Sequence, residues 1–190
     1  MHQRVLEKRP SGATMEDLFR IAGKRKAEII NGEVVIFLAT GHLPGRAADN
    51  IFMSLRDFER RSGIGVAMGD NRAFQCRLPN RGSFSPDAAY YTGPIPNEMG
   101  WYPEPPTFAV EVRSENDYGP SAEQEMAAKR ADYFAAGTRV VWDVDLLGEE
   151  VVRKFSADEP ESPVVFRRGE IADAEPAVPG WTMPVDELFS

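Results

Sequence analysis

The sequence predicts a single α/β domain in which a mixed central sheet is flanked by helices, with an N-terminal helix and a β-hairpin before it. Three observations support this fold class. Two long segments place apolar residues at helical spacing, several short runs have the composition of strands, and the two kinds of segment alternate along the chain. The 190 residues suit one domain with one core. Residues 1–13 are expected to form a loose lead-in.

The first structured segment is predicted to be a short helix followed by a hairpin. Thr14 begins the helix with Asp17 at the capping-box position, and Gly23 ends it. The dipeptide Asn31-Gly32 favours a tight turn, because both positions of that turn need positive φ. The strands on either side of the turn are therefore predicted at residues 26–30 and 33–38.

The middle of the chain is predicted to contain a long helix and four short strands. Helical spacing of apolar residues extends over residues 46–61, and Gly63 and Gly65 follow as terminators. Composition and turn signals place the strands at residues 66–68, 73–76, 87–91 and 107–112.

The last third of the chain begins with another predicted helix. Ser121 is a suitable N-cap with Gln124 three residues later, and the helix is expected to extend to Ala136, with Gly137 as its stop. A nearly unbroken apolar strand over residues 138–144 indicates burial on both faces. Shorter edge strands are predicted at residues 151–155 and 164–167, with loops at 157–163 and 172–179.

Composition argues against several classes of function. The chain has 22 basic and 30 acidic side chains, a net charge of −8, which argues against a surface devoted to phosphate but leaves room for a local basic patch. The single cysteine, Cys76, cannot form an intrachain disulfide, and two histidines argue against a Cys/His zinc site. No apolar run reaches the ~20 residues of a membrane span. We therefore expect a cytoplasmic protein without membrane contact.

Two acidic residues are candidates for a metal site. Asp87 begins one predicted strand and Glu111 lies near the end of a strongly apolar one, where burying an acid is costly unless a cation compensates it. Carboxylates on neighbouring strands can converge on one Mg²⁺, which prefers oxygen ligands. The alternative is that Asp87 caps a turn and that Glu111 pairs with an arginine.

Lys129 and Glu28 are further candidates. On the third helix, residues at steps of four and three form one stripe, and Lys129 is its only charged member: Ala122, Met126, Lys129, Tyr133, Ala136. Its ammonium either extends to water or points at the two carboxylates. Glu28 lies in the first strand of the hairpin, where a solvated face, shared with Lys26 and Glu33, is the simpler interpretation.

The order of these motifs resembles a known family. The chain has Glu-Ile-Ile-Asn-Gly-Glu from residue 28, Ser-Pro-Asp from 85 and Val-Glu-Val from 110. Lys129 stands four before Tyr133, followed by Ala136-Gly137, Val-Val-Trp-Asp-Val-Asp from 140, Pro-Gly-Trp from 179 and the segment 186–189. This pattern is similar to the Uma-two (Uma2) family of bacterial restriction endonucleases, in the PD-(D/E)XK nuclease superfamily. The resemblance extends from about Met15 to Phe189.

The resemblance implies a restriction-endonuclease-like fold and magnesium-dependent cleavage of nucleic acid, with DNA as the expected substrate and Mn²⁺ as a substitute ion. It implies that Asp87, Glu111 and the Val112 carbonyl bind the metal ion. It further implies that Lys129 and Glu28 are catalytic. A homodimer would suit this activity, because cutting both strands of a duplex needs two sites.

Arg113 departs from the family pattern, since it occupies the literal third position of Glu-X-Lys. By strand alternation it should face the same side as Glu111. An arginine cannot serve as a base. It either binds substrate phosphate, or it pairs with Glu111 and displaces the metal. The second case would leave a catalytically inactive nuclease-fold protein that acts as a nucleic-acid- or protein-binding module. A structural homo-oligomer is a third alternative.

Overall fold

The computed structural model describes the backbone of residues 5–7 and all atoms of residues 12–22, 25–97 and 99–190. Gly23, expected to end the first helix, lies outside the described residues. The helices are α1 (Met15–Ala22), α2 (His42–Ser62) and α3 (Pro120–Ala136), and a 3₁₀ turn (Val185–Phe189) lies at the end of the chain. The strands are β1 (Val5–Glu7), β2 (Ala27–Ile30), β3 (Glu33–Ile36), β4 (Val66–Met68), β5 (Phe74–Leu78), β6 (Arg81–Phe84), β7 (Ala88–Tyr91), β8 (Phe108–Val112), β9 (Val140–Val144), β10 (Val152–Ser156), β11 (Val164–Phe166), β12 (Ile171–Asp173) and β13 (Thr182–Pro184).

The central sheet is mixed and has helices on both faces, as predicted. Its order is β11-β10-β9-β8-β7-β4, and only β8 and β9 pair in parallel, with α3 as the crossover between them. Ile51 and Leu55 of α2 pack in the core on one face, together with Phe108 and Trp142. Tyr133 of α3 packs on the other face. The third helix therefore lies over the strand pair that carries Glu111.

A second sheet packs beside α3. Its order is β1-β3-β2-β6-β5, so the hairpin β2–β3 is extended on both sides. The Phe84 and Tyr133 rings stack with centroids 4.0 Å apart, which joins this sheet to the helix. The Ser83 hydroxyl accepts a hydrogen bond from the Ile29 N–H at 2.8 Å and fixes β6 against β2. The two sheets thus approach each other around α3.

The local signals near the N-terminus are confirmed. The Thr14 hydroxyl accepts the Asp17 N–H, and the Asp17 carboxylate accepts the Thr14 N–H, both at 3.2 Å, which completes the capping box. Asn31 and Gly32 have φ values of 51° and 73°, as the tight turn requires. The prediction of a loose lead-in is wrong for residues 5–7. They form strand β1, which pairs with the edge of β3, where unpaired backbone groups are available for hydrogen bonds.

Several predicted boundaries are wrong. Helix α3 begins at Pro120 without a side-chain cap, so Ser121 is not its N-cap; proline suits a first turn because that position needs no donor. Helix α2 begins four residues earlier than predicted, at His42. Strand β10 pairs with both β9 and β11 and is not an edge strand. The strands β6, β12 and β13 were not predicted, because their sequences lack a readable alternation of apolar residues.

Replacing Gly32 by alanine should destabilise the protein. Gly32 has φ of 73°, and a Cβ there would lie 3.3 Å from the Gly12 Cα. A left-handed backbone costs an L-residue roughly 1–2 kcal/mol, so Gly32→Ala should lower the free energy of unfolding by about that amount. Urea denaturation measures this change. Gly100→Ala is the control, because a Cβ at this position would have no neighbouring atom within 4 Å, and it should change stability by less than about 0.5 kcal/mol.

Candidate active site

One cavity contains every side chain that the sequence predicted for the site. Its volume is about 530 Å³, and it lies between the hairpin sheet, the end of β8 and helix α3. The predicted site residues that line it are Glu28, Asp87, Glu111, Val112, Arg113 and Lys129. Residues from distant parts of the sequence are therefore brought together by the two sheets and the helix.

Lys129 has the position that its place in the helix stripe predicted. Its Nζ lies 2.8 Å from a Glu111 oxygen and 2.9 Å from a Glu28 oxygen. The predicted contact with Glu111 is therefore confirmed. The second partner is Glu28, whereas the sequence pointed to Asp87. The alternative in which the lysine extends to water is wrong.

Glu28 is fully buried, so the interpretation as a solvated strand face is wrong. Besides Lys129, its carboxylate binds the Arg81 guanidinium at 2.6 Å and accepts the Ser85 N–H at 3.0 Å. Arg81 also binds Asp132 of α3 at 2.8 Å. Burial acts to raise the pKa of Glu28, but the charges of Lys129 and Arg81 outweigh it and hold that pKa below its usual value.

Glu111 has the opposite balance. Burial raises its pKa, the Lys129 ammonium opposes that rise, and the negative charge of Asp87 adds to it, so the net pKa is raised. The Tyr133 hydroxyl donates a hydrogen bond to Glu111 at 2.7 Å. Burial raises the pKa of Tyr133 well above its usual value, so this hydroxyl remains a donor. The charge of Glu111 is thus less well compensated than that of Glu28.

Asp87 is held by two contacts, neither of which the sequence indicated. The Val112 N–H donates to Asp87 Oδ2 at 2.7 Å. Asp87 Oδ1 pairs with the ammonium of Lys26, which also lies 2.8 Å from Asp70. Sequence reasoning assigned Lys26 to a solvated face. The available signal was its place two residues before Glu28, because strand alternation puts both side chains on the same side.

Arg113 lines the cavity on the side that alternation predicted, but it does not pair with Glu111. Its Nε donates to Asp143 at 2.7 Å, and its Nη2 donates to Glu123 at 3.0 Å. Its side chain is 2% exposed. The pairing with Glu111 is wrong, because Asp143 and Glu123 engage the guanidinium. Phosphate binding by Arg113 stays a prediction. Asp143 is the β9 register partner of Glu111, a position that only strand pairing reveals.

A family model described as "Putative restriction endonuclease", named Uma2, matches residues 15–186. The chain belongs to the Uma2 family. A crystal structure of a "putative nuclease belonging to DUF820" from Anabaena variabilis shares the fold, with a TM-score of 0.68 and 16% identity over 90% of this chain and 96% of that one. The curated proteins contain no match. Over the described residues, none of the helices is long and apolar enough to cross a membrane.

The donor chemistry of this Uma2 protein fits a hard divalent cation. Asp87 precedes β7 and Glu111 lies on the adjacent β8, and carboxylates with several waters suit Mg²⁺. Within the described part of the chain, no group of three or more histidine, cysteine or acidic side chains is arranged to hold a metal ion. The pair would therefore leave most coordination positions to water and substrate, as Mg²⁺ sites in proteins commonly do.

The two glutamates should respond differently to neutralisation. Glu28→Gln leaves Arg81 and Lys129 without their shared counter-charge, and removing one partner of a buried ion pair costs about 3–5 kcal/mol. Glu111→Gln removes the less compensated charge and should be neutral or stabilising at pH 7. The pKa of Glu28 is lowered in the folded state. Its ionised form therefore adds to the free energy of unfolding above its unfolded pKa, and this stabilisation is lost as the pH falls through the folded pKa. Urea denaturation with EDTA at several pH values measures the free energy of unfolding of both variants. Equal effects of Glu28→Gln and Glu111→Gln would contradict the conclusion that Glu111 is the less compensated charge.

Arg113→Leu should destabilise this Uma2 protein without creating a metal site. The change leaves Asp143 buried with only Arg130 nearby, at 3.4 Å, and should cost about 3–5 kcal/mol. The double variant Arg113→Leu/Asp143→Val should recover most of that loss, because an apolar pair replaces the ion pair. Thermal and urea denaturation test this expectation. A single variant as stable as wild type would show that the pair does not form in solution.

Proposed function

We propose that this Uma2 protein is a Mg²⁺-dependent endonuclease that hydrolyses phosphodiester bonds of DNA, with Mn²⁺ as an alternative ion. The observation that carries the proposal is the Lys129 ammonium, which lies between the carboxylates of Glu28 and Glu111 in a cavity that also contains Asp87. The family supports the nuclease class. The metal ion, the choice of DNA and a cytoplasmic dimer belong to the proposal.

In this proposal Asp87, Glu111 and the Val112 carbonyl hold the ion. Bound there, the ion would lower the pKa of a water molecule and offset negative charge on the scissile phosphate. The Val112 N–H fixes the rotamer of Asp87, and the Tyr133 hydroxyl fixes one oxygen of Glu111. These hydrogen bonds hold both carboxylates in place before substrate arrives.

Lys129 supplies the positive charge that the reaction needs beside the phosphate. Burial tends to lower its pKa, but Glu111 and Glu28 outweigh burial and raise it, so the side chain remains an ammonium. It therefore orients a water molecule or stabilises developing charge, and it does not act as a general base. Glu28 is bound by Arg81 and Ser85 and positions Lys129 through their ion pair.

A binding module without catalysis is the second candidate, favoured by one observation. Lysine ammonium groups already pair with Asp87 and Glu111, so these acids need no metal for charge compensation. Such a module would bind nucleic acid or protein through the same face. It would show no carboxylate-dependent affinity for Mg²⁺.

Cleavage assays with Mg²⁺ should separate the two candidates. The wild type is expected to cut DNA, and supercoiled plasmid, linear duplex, single-stranded DNA and RNA should be compared with EDTA controls. Asp87→Asn and Glu111→Gln should each lower the rate at least about a hundredfold, since metal-ion catalysis supplies several kcal/mol of stabilisation. Lys129→Met should fold and bind metal but cleave about a hundredfold more slowly or worse.

Asp57→Asn is the matched control, because this acid is exposed on α2 and pairs only weakly with Arg60 at 3.3 Å. It should cleave at the wild-type rate. If folded wild-type protein cuts none of the four substrates with Mg²⁺ or Mn²⁺, the enzyme proposal fails. Wild-type turnover in Asp87→Asn or Glu111→Gln would contradict the metal assignment.

A further inference from the structure

Lys26 is a cation of the cavity that neither the sequence pattern nor the proposed mechanism uses. Its ammonium contacts two carboxylates on different segments: Asp87, before β7, and Asp70, in the turn after β4. Lys26 and Asp87 line the cavity, whereas Asp70 is not among the lining residues. One partner of the lysine therefore belongs to the candidate metal site, and the other lies outside it.

The contacts of Asp87 place Lys26 and a metal ion in competition. Oδ2 accepts the Val112 N–H, and Oδ1 is the atom that Lys26 contacts. A Mg²⁺ ion approaches a carboxylate oxygen to about 2.0–2.1 Å, and two cations on one oxygen repel each other strongly in a partly buried cavity. An ion that binds Oδ1 therefore weakens the contact of the ammonium with that oxygen and favours its displacement.

Asp70 is a second carboxylate to which the displaced ammonium stays bound. The Asn71 N–H donates to Asp70 Oδ1 at 2.7 Å, so the turn fixes this carboxylate. The ammonium already lies 2.8 Å from the same oxygen. Because the lysine stem has four flexible carbons, its side-chain torsions allow the ammonium to leave Asp87 and to keep its contact with Asp70.

We propose that Lys26 is a tethered cation that competes with the divalent ion for Asp87, and that Asp70 holds the ammonium when the ion binds. The inference rests on the metal site of the proposed function. Lys26 thereby sets the metal affinity of the site and keeps Asp87 compensated when no ion is bound. Asp70 is the positioning residue of this exchange.

Calorimetric titration with Mg²⁺ and with Mn²⁺ tests the competition without reference to activity. Lys26→Met removes the competing charge, and a neighbouring charge commonly shifts a carboxyl equilibrium tenfold or more, so we expect about tenfold tighter binding. Lys26→Gln is a second variant in case the methionine impairs folding. Lys26→Arg keeps the charge and should bind metal within about threefold of wild type. Lys154→Met is the matched control, since Lys154 forms a similar half-buried pair with Asp173, 2.8 Å away and outside the cavity, and it should leave metal affinity unchanged.

The role of Asp70 is tested by a double-variant cycle. Asp70→Asn removes the alternative partner, so Lys26 should hold Asp87 more firmly and metal affinity should fall roughly two- to fivefold. In the Lys26→Met background the same change should have no effect. An Asp70→Asn effect that persists without Lys26 would show that Asp70 attracts the ion directly, which would overturn its assigned role.

The outcomes separate this inference from the proposed function. Tighter binding by Lys26→Met, with wild-type behaviour of Lys154→Met, supports the competition. Binding that appears only in the uncharged variants Lys26→Met and Lys26→Gln supports it as well. Equal affinities of wild type and Lys26→Met, with a site that Asp87→Asn abolishes, overturn the competition but leave the metal site intact. If neither wild type nor the folded Lys26 variants bind Mg²⁺ or Mn²⁺, both proposals fail.

Discussion

The buried ion-pair network around Glu28 connects the three parts of the molecule that form the cavity. Glu28 lies on the hairpin sheet, Arg81 on the adjacent strand of that sheet, Lys129 and Asp132 on α3, and Glu111 on the central sheet. A buried charge without a partner costs several kcal/mol, so each of these groups requires the others. The relative placement of both sheets and the helix therefore depends on this network.

Charge compensation explains why the acids of the cavity differ. Glu28 is fixed by a guanidinium, an ammonium and a backbone N–H, which makes it a structural anion. Glu111 contacts the Lys129 ammonium, which it shares with Glu28, and the Tyr133 hydroxyl. It also lies near Asp87, so burial dominates and raises its pKa. An anion that is well compensated by the protein has little affinity left for an external cation. Glu111 and Asp87 are therefore better candidates for metal ligands than Glu28.

Arg113 illustrates how a motif can mislead when it is read along one strand. Its position suggested an interaction with Glu111, two residues away on the same side. In the folded chain the parallel pairing of β8 with β9 brings Asp143 next to Glu111, and helix α3 adds Glu123. Two carboxylates then engage the guanidinium, and Glu111 pairs with Lys129 instead. Neither Asp143 nor Glu123 lies on β8, so the sequence of that strand does not indicate either contact.

The sequence by itself determined the local features whose cause is local. The capping box at Thr14, the turn at Asn31-Gly32, the stop at Gly137 and the stripe that turns Lys129 inward all follow from backbone conformation or helical spacing. The order of motifs also identified the family, and with it the fold and the candidate side chains that line one cavity. Boundaries without a capping signal, as at Pro120, were harder to place.

Apart from the pairing of Lys129 with Glu111, only the tertiary structure decided which charges meet. Lys26 and Asp87 are 61 residues apart, and Arg81 and Glu28 are 53 apart, so no periodicity relates them. Strand β1 exists because β3 has an open edge, and β6 because β2 and β5 lie on either side of it. Local conformational preference acts over a few residues, whereas ion pairing and sheet register depend on distances in space. The sequence could therefore name the acids of the site and one of their cations, Lys129, but the folded chain was needed to show that Lys26 and Arg81 hold Asp87 and Glu28.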